Sequence, residues 1–325
     1  MKTTIRHVLS CGVFLAIGAG LLLAAGVLLS PKINHTAYGV EYPNAEAVRA
    51  EAPETLDILF VGNSESFYAF DPMVIWQETG IASYVCGTGG QSLYTTEEYI
   101  DVAFRTQSPK YVVVEPAVFY HRYEIDEEVD NRLERLFPVL RYHHRWRSLT
   151  EEDWSQLPDY TETDPLKGLH KIRFAAVPAD TEGFMAPGEQ TFLPQPIAIR
   201  KIREIYRRCR RAGAELIFVS APSTVNWSTD CHNGVAALAE ELGVTYLDLN
   251  RMPEEVPIDW NTDSWDGGDH LNYRGSEKVS RYLAGYFADK GLPDHRGEAA
   301  YAQWDRDLAE YLRQLHQDPA PAGGE

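Results

Sequence analysis

Basic residues are scarce in this chain. Only 30 Lys and Arg stand against 48 Asp and Glu in 325 residues, for a formal net charge of −18. That balance excludes nucleic acid as a partner, because neutralising phosphates needs a basic face. It also argues against adhesion of the folded part to anionic lipid. Cysteine is scarce too: Cys11, Cys86, Cys209 and Cys231 are the whole complement. Their spacing makes neither a disulfide framework nor a zinc site, so free buried thiols are expected outside the N-terminal segment. There is no internal repeat. Gly87-Thr88-Gly89-Gly90 has the composition of a phosphate cradle but lacks the full dinucleotide-binding fingerprint.

One long uncharged stretch is present, the 22 residues from Val8 to Leu29. About 20 apolar residues span a bilayer as a helix, whereas a secretory signal core is shorter. Ala24-Ala25-Gly26 imitates a cleavage site, yet Val27-Leu28-Leu29 continues the apolar run. An uncleaved anchor over residues 1–35 is therefore favoured, with a cleaved signal and a secreted protein as the alternative. Lys2 and Arg6 place the N-terminus in the cytoplasm and the remainder outside it. Cys11 follows Val8-Leu9-Ser10, but no apolar run precedes it, so lipidation is discounted.

Beyond the anchor, residues 36–55 are polar with scattered Pro and Gly and read as a stalk. Short apolar runs then alternate with helical spacing. Strands are expected at Leu56–Val61, Ser83–Cys86, Tyr111–Val114, Leu216–Val219 and Thr245–Leu249. Helices are expected from Pro72 to Gly80 behind an Asp71 cap, and at Thr95–Thr106, Ile197–Ala212, Gly234–Leu242 and Gly275–Ala288. This alternation predicts an α/β fold, a three-layer α/β/α sandwich on a parallel sheet of about five strands. The pattern lapses at about 121–196, which reads as an inserted cap over one end of the sheet. Residues 293–325 read as a tail with a modest helix, frayed from Pro319 to Glu325.

Two segments carry candidate chemistry. Gly62-Asn63-Ser64-Glu65 follows the first strand, and ligands gather at the carboxyl ends of parallel strands. Ser64 there is either a nucleophile beside a helix N-terminus or simply a helix cap. Asp266-Gly267-Gly268-Asp269-His270 precedes the last sheet-packing helix. A serine needs a base to take its proton, and a carboxylate to orient that base. An exposed acidic loop and a metal site are the rival readings of this second segment. Ser66 is an alternative nucleophile if the turn is shifted. His143 and His144 are candidates to line a cleft, though packing beside Trp146 is the plainer role. His232-Asn233 reads as a helix cap.

Together these segments resemble the SGNH/GDSL hydrolase family over roughly Leu56 to Tyr286, the insertion apart. Gly62-Asn63-Ser64 resembles its first block, with Asn in place of Asp. Gly87 to Ser92 resembles the second, in which a glycine N–H helps form the oxyanion hole, here Gly90. His270 resembles the base of the last block. The resemblance implies an SGNH/flavodoxin-like fold over 56–292 and an ester hydrolase or acyltransferase, with catalytic Ser64, His270 and Asp266. Asp269 is the alternative orienter; an extended neighbour of His270 points its side chain away. The amides of Ser64 and Gly90 would hold the oxyanion, and Asn63 and Glu115 would touch substrate. No metal or cofactor is called for. The third-block Asn is missing, because that strand ends in Glu115-Pro116. Such altered blocks are similar to extracytoplasmic acyl-transfer branches acting in teichoic-acid D-alanylation and exopolysaccharide O-acetylation. These imply a cell-envelope glycan or acyl-ester substrate and a membrane acyl-donor protein as partners. The rival class is a catalytically inactive SGNH-fold scaffold in a cell-envelope assembly.

Overall fold

The computed structural model describes residues 2–317 apart from 124, 158 and 171. The terminal run from Pro319 to Glu325 lies outside the described residues. In chain order the helices and strands are α1 (Lys2–Leu29), α2 (Pro43–Glu46), β1 (Ile58–Gly62), α3 (Ser64–Ala69), α4 (Pro72–Thr79), β2 (Ser83–Gly87), α5 (Leu93–Ala103), β3 (Tyr111–Val114), α6 (Ile125–Leu136), α7 (Val139–Tyr142), α8 (Glu151–Ser155), α9 (Pro196–Ala212), β4 (Glu215–Ser220), α10 (Thr229–Leu242), β5 (Thr245–Asp248), α11 (Tyr273–Asp289) and α12 (Ala302–Gln317). They form two compact units. One comprises Asn44–Tyr123 and Thr163–Glu325, the other Met1–Pro43 and Glu124–Glu162.

The larger unit is built on a five-stranded, wholly parallel sheet of order β2-β1-β3-β4-β5. β1, β3 and β4 are dominated by Val, Ile, Leu and Phe rather than alternating patterns because both faces are covered. Every residue of β1, β2 and β3 is buried. α4 and α11 pack together on one face, and α5 and α9 on the other. The result is a three-layer α/β/α sandwich. The chain leaves β1 toward β2 and then returns to β3 on the other side. The strand order thus reverses between β1 and β3, and a ligand crevice is expected at the carboxyl ends there.

Local chemistry sets the elements that frame this point. Asp71 caps α4, accepting from the Met73 and Val74 amides at 2.9 and 3.3 Å, with Pro72 at the first helical position. Gly80 ends the helix at φ +70°. The second Asp71 oxygen accepts from Tyr311 Oη at 2.6 Å, which ties α12 to α4. Burial pushes the Asp71 carboxyl up to about 6.

Three stretches differ from expectation. Residues 44–55 are not a free stalk: Ala45, Val48, Glu51 and Thr55 are buried, and Glu51 pairs with buried Lys167 at 2.9 Å. Their apolar residues are too few for a sequence signal, but ion pairing lets polar ones go inside. The stretch at 121–196 divides. Residues 124–162 form α6 to α8 and cluster with the N-terminal segment, while 163–195 run through the larger unit. The tail carries a full helix, α12, whose Trp304 packs on Trp76 with ring centroids 5.2 Å apart. Cys86 and Cys209 are buried free thiols, Cys231 is half-buried and Cys11 is exposed on α1.

In the smaller unit, α1 is long and apolar enough to cross a membrane. Its last carbonyls are met by two cations. Lys32 Nζ donates to Val27 O at 2.5 Å, and Arg145 Nη1 donates to Leu29 O at 2.6 Å. Arg145 is held from behind by Asp153 at 3.0 Å. His143 and His144 lie exposed beside it, the His143 ring bonding the Leu140 carbonyl at 2.8 Å.

Candidate active site

Ser64 is the first residue of α3, two residues beyond the β1 carboxyl end. The cap itself is Asn63, whose Oδ1 accepts from the Glu65 amide at 3.2 Å. Its Oδ1 is thereby committed to the helix start. Ser66 is fully buried and its hydroxyl donates to Asn63 O at 2.7 Å, so it is not an accessible alternative to Ser64. The flanking glycines leave room for Ser66, Phe67 and Glu115. A Cβ on Gly87 would sit 2.6 Å from Ser66 Oγ, and one on Gly62 would sit 3.1 Å from Ser66 Cβ. Only backbone without side chains lets this first turn settle between the ends of β1 and β2.

His270 arrives from the other end of the chain on a tight loop. Gly267 and Gly268, at φ +82° and +100°, reverse the backbone twice in succession. Ser264 holds the turn, its hydroxyl accepting from the Gly268 amide at 2.7 Å and donating to His270 O at 2.9 Å. The reversal folds Asp266 under His270. Asp266 Oδ1 accepts from the His270 amide at 2.8 Å, and Oδ2 from ring Nδ1 at 2.6 Å. With its proton on Nδ1, the ring presents a lone pair at Nε2, and Ser64 Oγ donates to it at 2.8 Å. Ser64, His270 and Asp266 therefore form one hydrogen-bonded line across 206 residues of sequence. Asp269 stays out of that line. Its nearer oxygen is 3.8 Å from Nδ1, and its other oxygen accepts from Asn226.

The His270 ring is walled by aromatics that the sequence gave no reason to select. Trp265 stacks on it with centroids 6.1 Å apart, and Tyr68 lies at 5.0 Å. Arg173 covers Trp265 at 4.0 Å. Glu65 and Asn226 were likewise missed. Asn226 Nδ2 donates both to Glu65 and to Asp269. Glu65 is buried, and its carboxyl is held well above the usual carboxylate range by burial and then by the Glu115 charge. No local motif flags Asn226, because only the loop after β4 brings it here. We expect Asn226→Ala to cost about 1–3 kcal/mol of stability, since it leaves a buried carboxyl without its donor. Denaturant titration of the variant beside wild type measures this.

Glu115 is buried and caps the turn after β3, its carboxyl accepting from the Ala117 and Ala221 amides. It packs beside the β1 end, where a Cβ on Gly62 would sit 2.8 Å from Glu115 Cβ. Burial pushes it up to about 8 from an ordinary 4.5. The folded protein thus keeps this proton to higher pH than the unfolded chain does. Stability should fall as pH rises through that window, and Glu115→Gln should flatten the fall. Thermal melts from pH 5 to 8.5 test this. Gly90 sits in an exposed turn at φ +61°, with open space beside it. His232 is not a cap; Ser228 is, and the His232 ring bonds Asp248 at 2.7 Å within α10.

Glu65, Asp269 and His270 also bring ligand atoms within 4.8 Å of one another. As a cation site they fit poorly. The Asn226 amide donates to both carboxylates, and Asp266 and Ser64 engage both ring nitrogens. An ion would have to break these bonds.

No family model matches the chain, and no curated protein does. Solved structures overlap it shallowly. A GDSL-like lipase from Bacteroides thetaiotaomicron VPI-5482 is 10% identical, with TM-score 0.34, covering 72% of this chain and 88% of its own. The lipase/acylhydrolase from Enterococcus faecalis is 9% identical, with TM-score 0.36 and coverage of 72% and 97%. An acetyl xylan esterase from the rumen bacterium Butyrivibrio proteoclasticus is 11% identical, with TM-score 0.34 and coverage of 73% and 64%. Overlaps this shallow assign no activity, and the chemistry must come from the site itself.

Proposed function

We propose that this chain is an extracytoplasmic serine esterase or O-acyltransferase of the SGNH type, acting on acyl esters of a cell-envelope glycan or polymer. The observation that carries the proposal is the Ser64–His270–Asp266 line, with bonds of 2.8 and 2.6 Å. His270 Nε2 takes the Ser64 proton as Oγ attacks an ester carbonyl, and Asp266 stabilises the imidazolium that forms. The tetrahedral oxyanion is held by the Ser64 amide, at the helix position where backbone N–H groups lack intrahelical partners, and by the Gly90 amide. Each such donor supplies ~2.7–4 kcal/mol of transition-state stabilisation. His270 then returns its proton to the leaving alcohol, and water or a glycan hydroxyl resolves the acyl-enzyme. α1 supports attachment to the membrane, with Lys2 and Arg6 on the cytoplasmic side.

A second reading, a non-catalytic scaffold of an envelope assembly, is favoured by one feature. The end of β3 offers the buried Glu115 carboxyl where the resemblance calls for an oxyanion-binding Asn. A fluorophosphonate probe separates the two. An active site labels on Ser64, and labelling is lost in His270→Ala. A scaffold labels no better than its Ser64→Ala variant. Release of acetate from a small aryl ester, with and without glycan acceptor, then divides hydrolysis from transfer.

A further inference from the structure

Among its described residues, the smaller unit carries large apolar side chains that stand exposed. On α6 and α7, Val129, Leu133, Leu136 and Leu140 are all exposed, between 41% and 58%. Their spacing of four, three and four residues makes one stripe on one face of a helix. Backbone bonds carry the helix through the junction, from the Phe137 amide to Leu133 O at 2.7 Å and from the Leu140 amide to Phe137 O at 2.9 Å. Charged pairs border it, Arg132 bonded to Glu128 along one edge and Arg141 to Glu134 at 3.2 Å along the other, and Arg135 lies on the far side. Two rings further along are also exposed, Trp146 at 62% and Trp154 at 71%, and the Arg147 guanidinium lies over Trp146.

The position of this surface names its occupant. α7 packs against α1, and Pro138 lies against Gly26 in the last turn of that helix. Arg145 fastens the following turn to the Leu29 carbonyl. The exposed stripe is therefore fixed at the outer end of the apolar helix, at the depth of the lipid headgroups if α1 spans. A helix with one apolar and one charged face, followed by Trp and Arg, suits that layer. Acidic residues outnumber basic ones in this segment, so apolar insertion, not attraction to anionic lipid, would hold it. We propose that α6 and α7 form a second membrane contact, an amphipathic segment lying in the outer leaflet beside α1. This rests on α1 being an anchor and is independent of the esterase chemistry.

Photo-crosslinking in the full chain, in the membranes of cells expressing it, tests the proposal. Benzoylphenylalanine would replace Phe14, Arg135, Leu136 or Leu140 in turn, and adducts would be read by mass spectrometry. Expected are lipid adducts at Phe14, Leu136 and Leu140, several-fold above the yield at Arg135. Lipid adducts at Phe14 with none at Leu136 and Leu140 would overturn the second contact and leave the anchor standing. A discrete protein adduct at those two positions would overturn it in favour of a protein partner. Equal yield at Arg135 would overturn the one-faced insertion. Absence of lipid adducts at Phe14 would remove the anchor and this proposal with it.

Discussion

Ser64→Ala should abolish acyl turnover while leaving the melting temperature nearly unchanged. The expected loss is about 10⁶-fold in kcat, the cost of removing the nucleophile of a serine protease triad. The structure explains why stability is spared. Asn63, not Ser64, caps α3, and the Ser64 hydroxyl makes its bond to the His270 ring in a half-buried position. Loss of that bond leaves Nε2 able to meet water, so the change in stability should stay within about 0.5 kcal/mol. Were Ser64 the cap, the same substitution would cost about 1 kcal/mol and leave activity intact. Ester-hydrolysis rates measured beside thermal melts decide between these outcomes. Retained turnover in a folded Ser64→Ala protein would end the proposed mechanism.

Asp266→Asn should be the more damaging of the two carboxylate changes, by about 10⁴-fold in kcat. Asp266 accepts two N–H donors, one on each oxygen: the His270 amide and ring Nδ1. An amide side chain has only one oxygen. Its NH2 must therefore face one of the two donors, and the backbone amide cannot change. The ring can. It moves its proton to Nε2, where it points at Ser64 and can no longer act as a base. Asp269→Asn meets no such conflict. Its partner is the Asn226 NH2, which an amide oxygen satisfies. The expected loss there is no more than about tenfold, the worth of one hydrogen bond. Rates for both variants, compared at equal folded fraction by circular dichroism, settle the order. A larger loss in Asp269→Asn would reverse the assignment of the orienting carboxylate.

Much of this was legible from local sequence. The strand runs at Ile58–Gly62 and Tyr111–Val114 could be read because both faces of a parallel sheet are covered, which leaves continuous apolar segments. Asp71-Pro72 and Gly80 marked the limits of α4, because cap and terminator act through their own backbone.

Other features had no local cause. The His232 ring bonds Asp248 across a helix–strand gap, so its placement inside α10 overrode a plausible cap. Residues 44–55 looked like a polar stalk because the partner that neutralises Glu51, Lys167, lies 116 residues away. Asn226 could not be singled out, since its significance lies in touching Glu65 and Asp269, 161 and 43 residues distant.

The sequence by itself determined the order of elements, the parallel sheet and which residue types stand at the carboxyl ends of its strands. Each of these follows from apolar periodicity, backbone preference and chain connectivity within a few residues. Only the tertiary structure decided that Asp266 rather than Asp269 meets the His270 ring, that Asn63 and Glu115 are committed to helix and turn starts, and that Tyr68 and Trp265 wall the imidazole. Those outcomes depend on which hydrogen-bond partners and packing surfaces distant segments deliver to one point, and that is fixed by the fold as a whole.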